Sequence, residues 1–111
     1  MKNTIKQSEV TEALGIPRSF YAEIKREGMW EPTYAARVSG FKSDMVSRDD
    51  VLRLALIFKL VEVYGIKKSL MPEIIKQVDP FVPTIQISLP GIYITLDFSR
   101  EIEAVDRFWP K

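Results

Sequence analysis

Cysteine and histidine are both absent from the 111 residues. Their absence excludes disulfides, thiolate and imidazole metal sites, cysteine nucleophiles and every histidine-based catalytic relay. A surplus of either charge is missing too: 16 Lys and Arg face 15 Asp and Glu, for a formal net charge of +1. No strong overall field marks a polyanionic partner, so a phosphate binder would have to gather its cations on one surface. Hydrophobic runs long enough to span a bilayer are lacking, and Met1 to Val10 is too polar for a secretion signal, so a cytoplasmic protein without a membrane partner is expected. There is no glycine-rich phosphate loop, no Walker pattern and no serine followed by an activating partner. The carboxylate pairs Asp49/Asp50, Glu101/Glu103 and Glu23/Glu27 read as helix-start charges or solvated faces. No catalytic residue, metal ligand or cofactor is therefore expected.

What the chain has is one long, nearly uncharged helical stretch, SRDDVLRLALIFKLVEVYG from Ser47 to Gly65, in a length that suits a single domain. Ser47 can cap its start, Asp49 and Asp50 favour its first turn, and Gly65 suits a left-handed stop. At 3.6 residues per turn the apolar side chains form two stripes, Leu54, Ile57, Phe58, Val61 and Tyr64 on one and Leu52, Leu56, Leu60 and Val63 on the other. Two stripes need two covering surfaces, because a stripe left wet forgoes roughly 1.5 to 3 kcal/mol per large side chain.

Before this rod, Thr4 to Gln7 reads as an extended lead-in anchored by Ile5. SEVTEALG follows as a short helix capped by Ser8, with Val10, Ala13 and Leu14 inward and Gly15 ending it. Pro17 fits the first position of a second helix closed by Gly28, and the pair makes a helix-turn-helix candidate. In the second helix Phe20, Tyr21 and Ile24 share the inner side. Arg18, Ser19, Ala22 and Arg26 take the other, with Lys25 and Glu23 at its edges. Guanidinium donors, a hydroxyl and a small residue on one flat face suit a recognition helix in a DNA major groove, although any amphipathic surface helix carries a few cations. Met29 to Val46 reads as a small hairpin or wing, with Met29 and Trp30 plugging its base and Arg37, Ser39, Lys42 and Ser43 near its tip, placed for backbone phosphates. Trp30, Tyr34, Phe41 and Trp109 are core or wing supports before they are walls of an effector pocket.

The order of elements resembles the DNA-binding domain of MerR-like transcription regulators. The matching residues are SEV in the first helix, GIP at the turn, KREGMW closing the second helix, Pro32 in the wing, VSRDDVLRLALI entering the third helix and YGIKKSLMPEII entering a fourth. The resemblance spans Thr4 to Val78. It implies a winged helix-turn-helix that binds double-stranded DNA as a homodimer. The chain departs from the family where an Arg-Tyr-Tyr-Glu run is replaced by Ala22, Glu23, Ile24 and Lys25, and where Asp44 stands for an arginine ahead of the third helix.

The fourth helix is predicted from Ser69 to Val78, with Pro72 in its first turn and Leu70, Ile74, Ile75 and Val78 covering the rod. Where the family continues into a dimerising coiled coil, Asp79, Pro80 and Pro83 stop the helix. TIQISLPGIYITLDF then alternates as a β-hairpin: Ile85, Ile87 and Leu89 on one strand and Ile92, Ile94, Leu96 and Phe98 on the next share a face, and Pro90 and Gly91 turn the chain. That face must cover Leu52, Leu56 and Leu60 or meet a partner subunit, and a hairpin with two open edges can pair with its symmetry mate. Ser99 is expected to cap a last helix through Phe108, with Ile102, Val105, Phe108 and Trp109 inward. The expected class is mainly α with small β elements: a winged helix-turn-helix over 1–79, then a hairpin and short helix over 80–111 that cover the core and dimerise. Sequence-specific DNA binding and transcription regulation is the leading expectation. An architectural, excisionase-like DNA binder and a protein interaction module that has lost DNA affinity are the alternatives, the last because Met1 to Asp50 carries eight basic and eight acidic residues. A small-molecule effector is neither indicated nor excluded.

Overall fold

A computed structural model describes residues 4–34, 43–77, 79 and 82–109. Strand β1 (Thr4–Lys6) leads into helix α1 (Gln7–Leu14), and Gly15, Ile16 and Pro17 link it to α2 (Arg18–Arg26). Strand β2 (Met45–Ser47) pairs antiparallel with β1, Ile5 opposite Val46, and runs directly into α3 (Arg48–Phe58). A π-helical turn (Lys59–Val63) ends α3. A 3-10 turn (Lys68–Leu70), helix α4 (Met71–Gln77), the hairpin β3 (Thr84–Leu89) and β4 (Ile92–Asp97), and helix α5 (Ser99–Phe108) follow. Mainly α with small β elements is what the chain adopts.

Helix α3 is the centre because its sequence leaves it no wet side. Val51, Leu52, Leu54, Leu56, Ile57 and Leu60 are all buried, so both stripes are covered within one chain. Ser47 builds the expected cap and extends it to a capping box, its hydroxyl accepting from the Asp50 N–H while the Asp50 carboxylate accepts from the Ser47 N–H. One stripe meets α2, where Phe20 packs edge-on against Phe58 at 5.2 Å. Helix α5 lies along α3, tied near its two ends by ion pairs of Arg48 with Asp106 at 2.7 Å and of Lys59 with Glu101. Strand β3 packs against α4. The hairpin pairs Ile85 with Leu96, Ile87 with Ile94 and Leu89 with Ile92, and Ile85, Ile87, Leu89, Leu96 and Phe98 join the same core as Val10 and Ile24.

Several expectations fail locally. The π turn adds a residue to the last turn, marked by the Tyr64 N–H donating to the Lys59 carbonyl, and later side chains fall out of phase with the stripes. Val63 and Tyr64 are consequently exposed, at 64% and 53%. Ser8 caps nothing, because β1 runs straight into α1 and Lys6 takes the cap position without a side-chain bond. Thr11, not Ala13, shares the inner side of α1 with Val10. Pro17 is the residue before α2 and not its first. Ser99 likewise does not cap α5; its N–H and hydroxyl both donate to Asp97. In α4 the inner residues are Met71 and Ile74, with Leu70 and Ile75 half-buried and Val78 outside the described residues. Ile92 is 54% exposed at the hairpin tip instead of covering the core, and Ile94 is half-buried.

Candidate nucleic-acid interface

The turn between α1 and α2 depends on Gly15, whose φ of 68° lets Gly15 and Ile16 donate back to the Glu12 and Thr11 carbonyls. Ile16 is then buried beside α2. Phe20, Tyr21 and Ile24 take the inner side of α2, as the spacing predicts. That fixes the other side: Arg18, Ser19, Ala22 and Arg26 are all exposed. Among the described residues neither Arg18 nor Arg26 is paired with a carboxylate. A shallow depression of about 480 Å³ lies on this side, lined by Tyr21, Ala22, Lys25 and Arg26.

Lys25 is different. Its ammonium lies 2.5 Å from Asp44 Oδ2, and the Tyr21 hydroxyl donates to the same oxygen at 2.7 Å. Asp44 is buried at 7% exposure, just before β2, and its carbonyl accepts from the Gln7 N–H. One carboxylate thus binds α2 to β2, and burial together with this hydrogen bond pushes the Tyr21 phenol well above its ordinary value. The expectation that Lys25 is a free DNA contact gives way to a cation committed to an internal partner. At the other edge of the face Glu23 pairs with Lys68, which holds the Glu23 carboxyl below the usual range.

A second buried carboxylate anchors the preceding stretch. Asp50 Oδ2 accepts from the Thr33 N–H at 2.7 Å and from the Thr33 hydroxyl, while the Trp30 indole N–H donates to the Asp50 carbonyl at 2.8 Å. Trp30 is buried with its ring 5.3 Å from Tyr21, so it supports the base as expected and lines no open pocket. Tyr34 and Met45 exchange two backbone hydrogen bonds as an antiparallel bridge. The chain therefore leaves and returns side by side at the base of the predicted wing. Ser43 is half-buried, and Arg37, Ser39, Lys42 and Phe41 lie outside the described residues.

Periodicity found the exposed side of α2 and missed its anchors. Asp44 and Asp50 meet partners 17 to 23 residues away in sequence, a relation that no local pattern encodes. Two signals were available: the S-x-x-D spacing of Ser47 and Asp50, and the need of a buried tyrosine hydroxyl for an acceptor.

Among the described residues no group of acidic side chains could hold a metal ion, and no helix is long and apolar enough to cross a membrane. Comparison with protein-family models, with curated proteins and with solved structures finds no match to this chain.

Proposed function

We propose that the protein is a sequence-specific double-stranded DNA-binding protein, a homodimeric transcription regulator of the winged helix-turn-helix, MerR-like type. The observation that carries this reading is the outer side of α2, where Arg18, Ser19, Ala22 and Arg26 stand exposed together while Lys25 and Tyr21 pin the same helix to Asp44. A helix that reads base edges must be held rigidly and must present long donors beside a small residue, so that its backbone can approach the groove. Arg18 and Arg26 supply the donors, and Ala22 lies between them on that side. Lys25 acts as a positioning residue. Arg37, Ser39, Lys42 and Ser43 remain the wing's candidate phosphate contacts.

The test is selection of bound sequences from random duplexes, followed by titration of the selected site. Arg18→Ala and Arg26→Ala should each cost about 1 to 3 kcal/mol of binding and relax specificity. An Arg18→Ala/Arg26→Ala double variant that binds the selected duplex like the wild type removes the mechanism.

One observation favours a second reading, a protein interaction module on the same fold: the even charge count of residues 1–50, with Lys25 further withdrawn by Asp44. Absence of duplex binding at low salt decides for it. An architectural role in DNA bending differs from regulation only in where the bound sites fall.

A further inference from the structure

We propose that the free edge of β4 is a homodimer interface: a second copy lays its own β4 antiparallel against it about a two-fold axis at Ile94, joining two hairpins into a four-stranded sheet. The proposal names the surface behind the homodimeric reading above, and its bearing on DNA rests on that reading.

The two edges of the hairpin are not alike. Ser88 turns both its backbone groups away from β4, and Gln77 of α4 takes them both: the Gln77 amide donates to the Ser88 carbonyl and accepts from the Ser88 N–H, each at 2.8 Å. The outer edge of β3 is thereby closed. On β4 the alternation of an antiparallel ladder turns the groups of Ile92, Ile94 and Leu96 toward β3 and those of Tyr93 and Thr95 outward. No backbone or side-chain partner meets Tyr93 or Thr95 on that edge among the described residues.

Edge strands that are not used are normally blunted by lysine, proline or a bulge. This one carries none of them. Ile92 to Leu96, IYITL, is without charge, so a copy of the strand meets no like charge in its mate. Beside the edge lies an apolar cleft of about 310 Å³, bordered by Ile94, Thr95 and Leu96 of β4 and by Leu60, Tyr64 and Ile66 across from it. It is where inward-facing side chains of an added strand would sit, and the π turn supplies Tyr64 as its far wall.

A second copy fits because two identical antiparallel strands satisfy each other about a two-fold, which makes the surface its own complement. The ladder permits only registers in which outward-facing residues oppose one another. Placing the axis at Ile94 sets Tyr93 against Thr95 of the mate and Ile92 against its Leu96, and so covers the exposed Ile92. Placing it at Thr95 leaves Ile92 uncovered.

The experiment uses the full chain. Sedimentation should show a dimer for the wild type and a weakening by about tenfold or more for Thr95→Pro, which removes outward N–H donors but no bond within the hairpin. Circular dichroism checks that this variant keeps its fold. Because the chain has no cysteine, Ile94→Cys introduces a single thiol, and the Ile94 pair, opposed without hydrogen bonds at about 4.5 Å between Cα atoms, should form a disulfide dimer on mild oxidation. Gln86→Cys, on the closed side, should stay mainly uncrosslinked. A wild type that is monomeric wherever it binds duplex, an undiminished dimer for Thr95→Pro, or an Ile94→Cys variant that does not crosslink overturns the interface. Failure of the wild-type dimer to bind any duplex removes the DNA reading instead and leaves the interface standing.

Discussion

The two halves of the molecule are held by different physics. Around α2, orientation comes from buried polar atoms: Asp44 gathers Tyr21 and Lys25, and Asp50 gathers Thr33, Ser47 and, through its carbonyl, Trp30. In the β3–β4 hairpin and α5 the inward side chains are aliphatic or aromatic, and the polar ties, Lys59 with Glu101 and Arg48 with Asp106, lie toward the rim. Hydrophobic burial is strong but non-directional. Hydrogen bonds to a buried carboxylate give less net energy but fix angles. An element that must present a particular side to a partner gains from the second kind of support, and a covering layer needs only the first.

The comparison breaks most visibly at Phe98, fully buried between β4 and α5. Phe98→Ala should cost about 3 to 5 kcal/mol in urea unfolding, with duplex affinity of the folded fraction unchanged. Asp50→Ala comes next, at about 2 to 3 kcal/mol, since it removes the capping box and leaves the Thr33 N–H without its acceptor; here duplex binding should weaken as well. Lys25→Met should cost about 1 kcal/mol in stability, the ammonium being partly solvated, and should reduce duplex affinity without altering which bases are preferred. Arg26→Ala should do the reverse, leaving stability unchanged and changing preference. Equal changes in base preference for the two variants would erase the distinction between a positioning and a reading residue.

The smallest effects are those of pH. Lys68 lowers the Glu23 carboxyl, and the Ser99 N–H and hydroxyl lower Asp97. Each therefore binds its proton more weakly folded than unfolded, supports the fold above the unfolded value of about 4, and loses that support as pH falls through the folded value. Tyr21 has the opposite sign: its raised value keeps the phenol neutral in the native state, so its contribution is intact below about 10 and declines as pH rises beyond it. An unfolding midpoint followed against pH should lose this alkaline decline in Tyr21→Phe.

Much of the architecture was legible because it rests on local periodicity. The spacing of apolar residues identified α3 with both stripes, the inner side of α2 with Phe20, Tyr21 and Ile24, and the hairpin about Pro90 and Gly91. Turn-level detail was less accessible: Ser8 and Ser99 have the composition of caps, but the strand leading into α1 and the Asp97 side chain ahead of α5 claim those positions. The π turn was invisible, since nothing in KLVEV departs from ordinary helix, and so the exposure of Val63 and Tyr64 was missed. On the candidate site, the exposed side of α2 followed from spacing, whereas the commitment of Lys25 depended on where β2 returned. Asp44, a substitution against the MerR-like pattern, is an anchor and not a gap.

The widened turn at Lys59–Val63 also works as a phase adjuster between the two halves. Deleting a single amino acid there would restore an unbroken α-helix, yet would swing everything downstream by about 100° around the axis, carrying the greasy side of the hairpin off its seat. Lineages that shorten this spot should therefore show a compensating change in the linker around Gly65, and grafts of the N-terminal half onto other tails should splice beyond Ile66 instead of inside the rod.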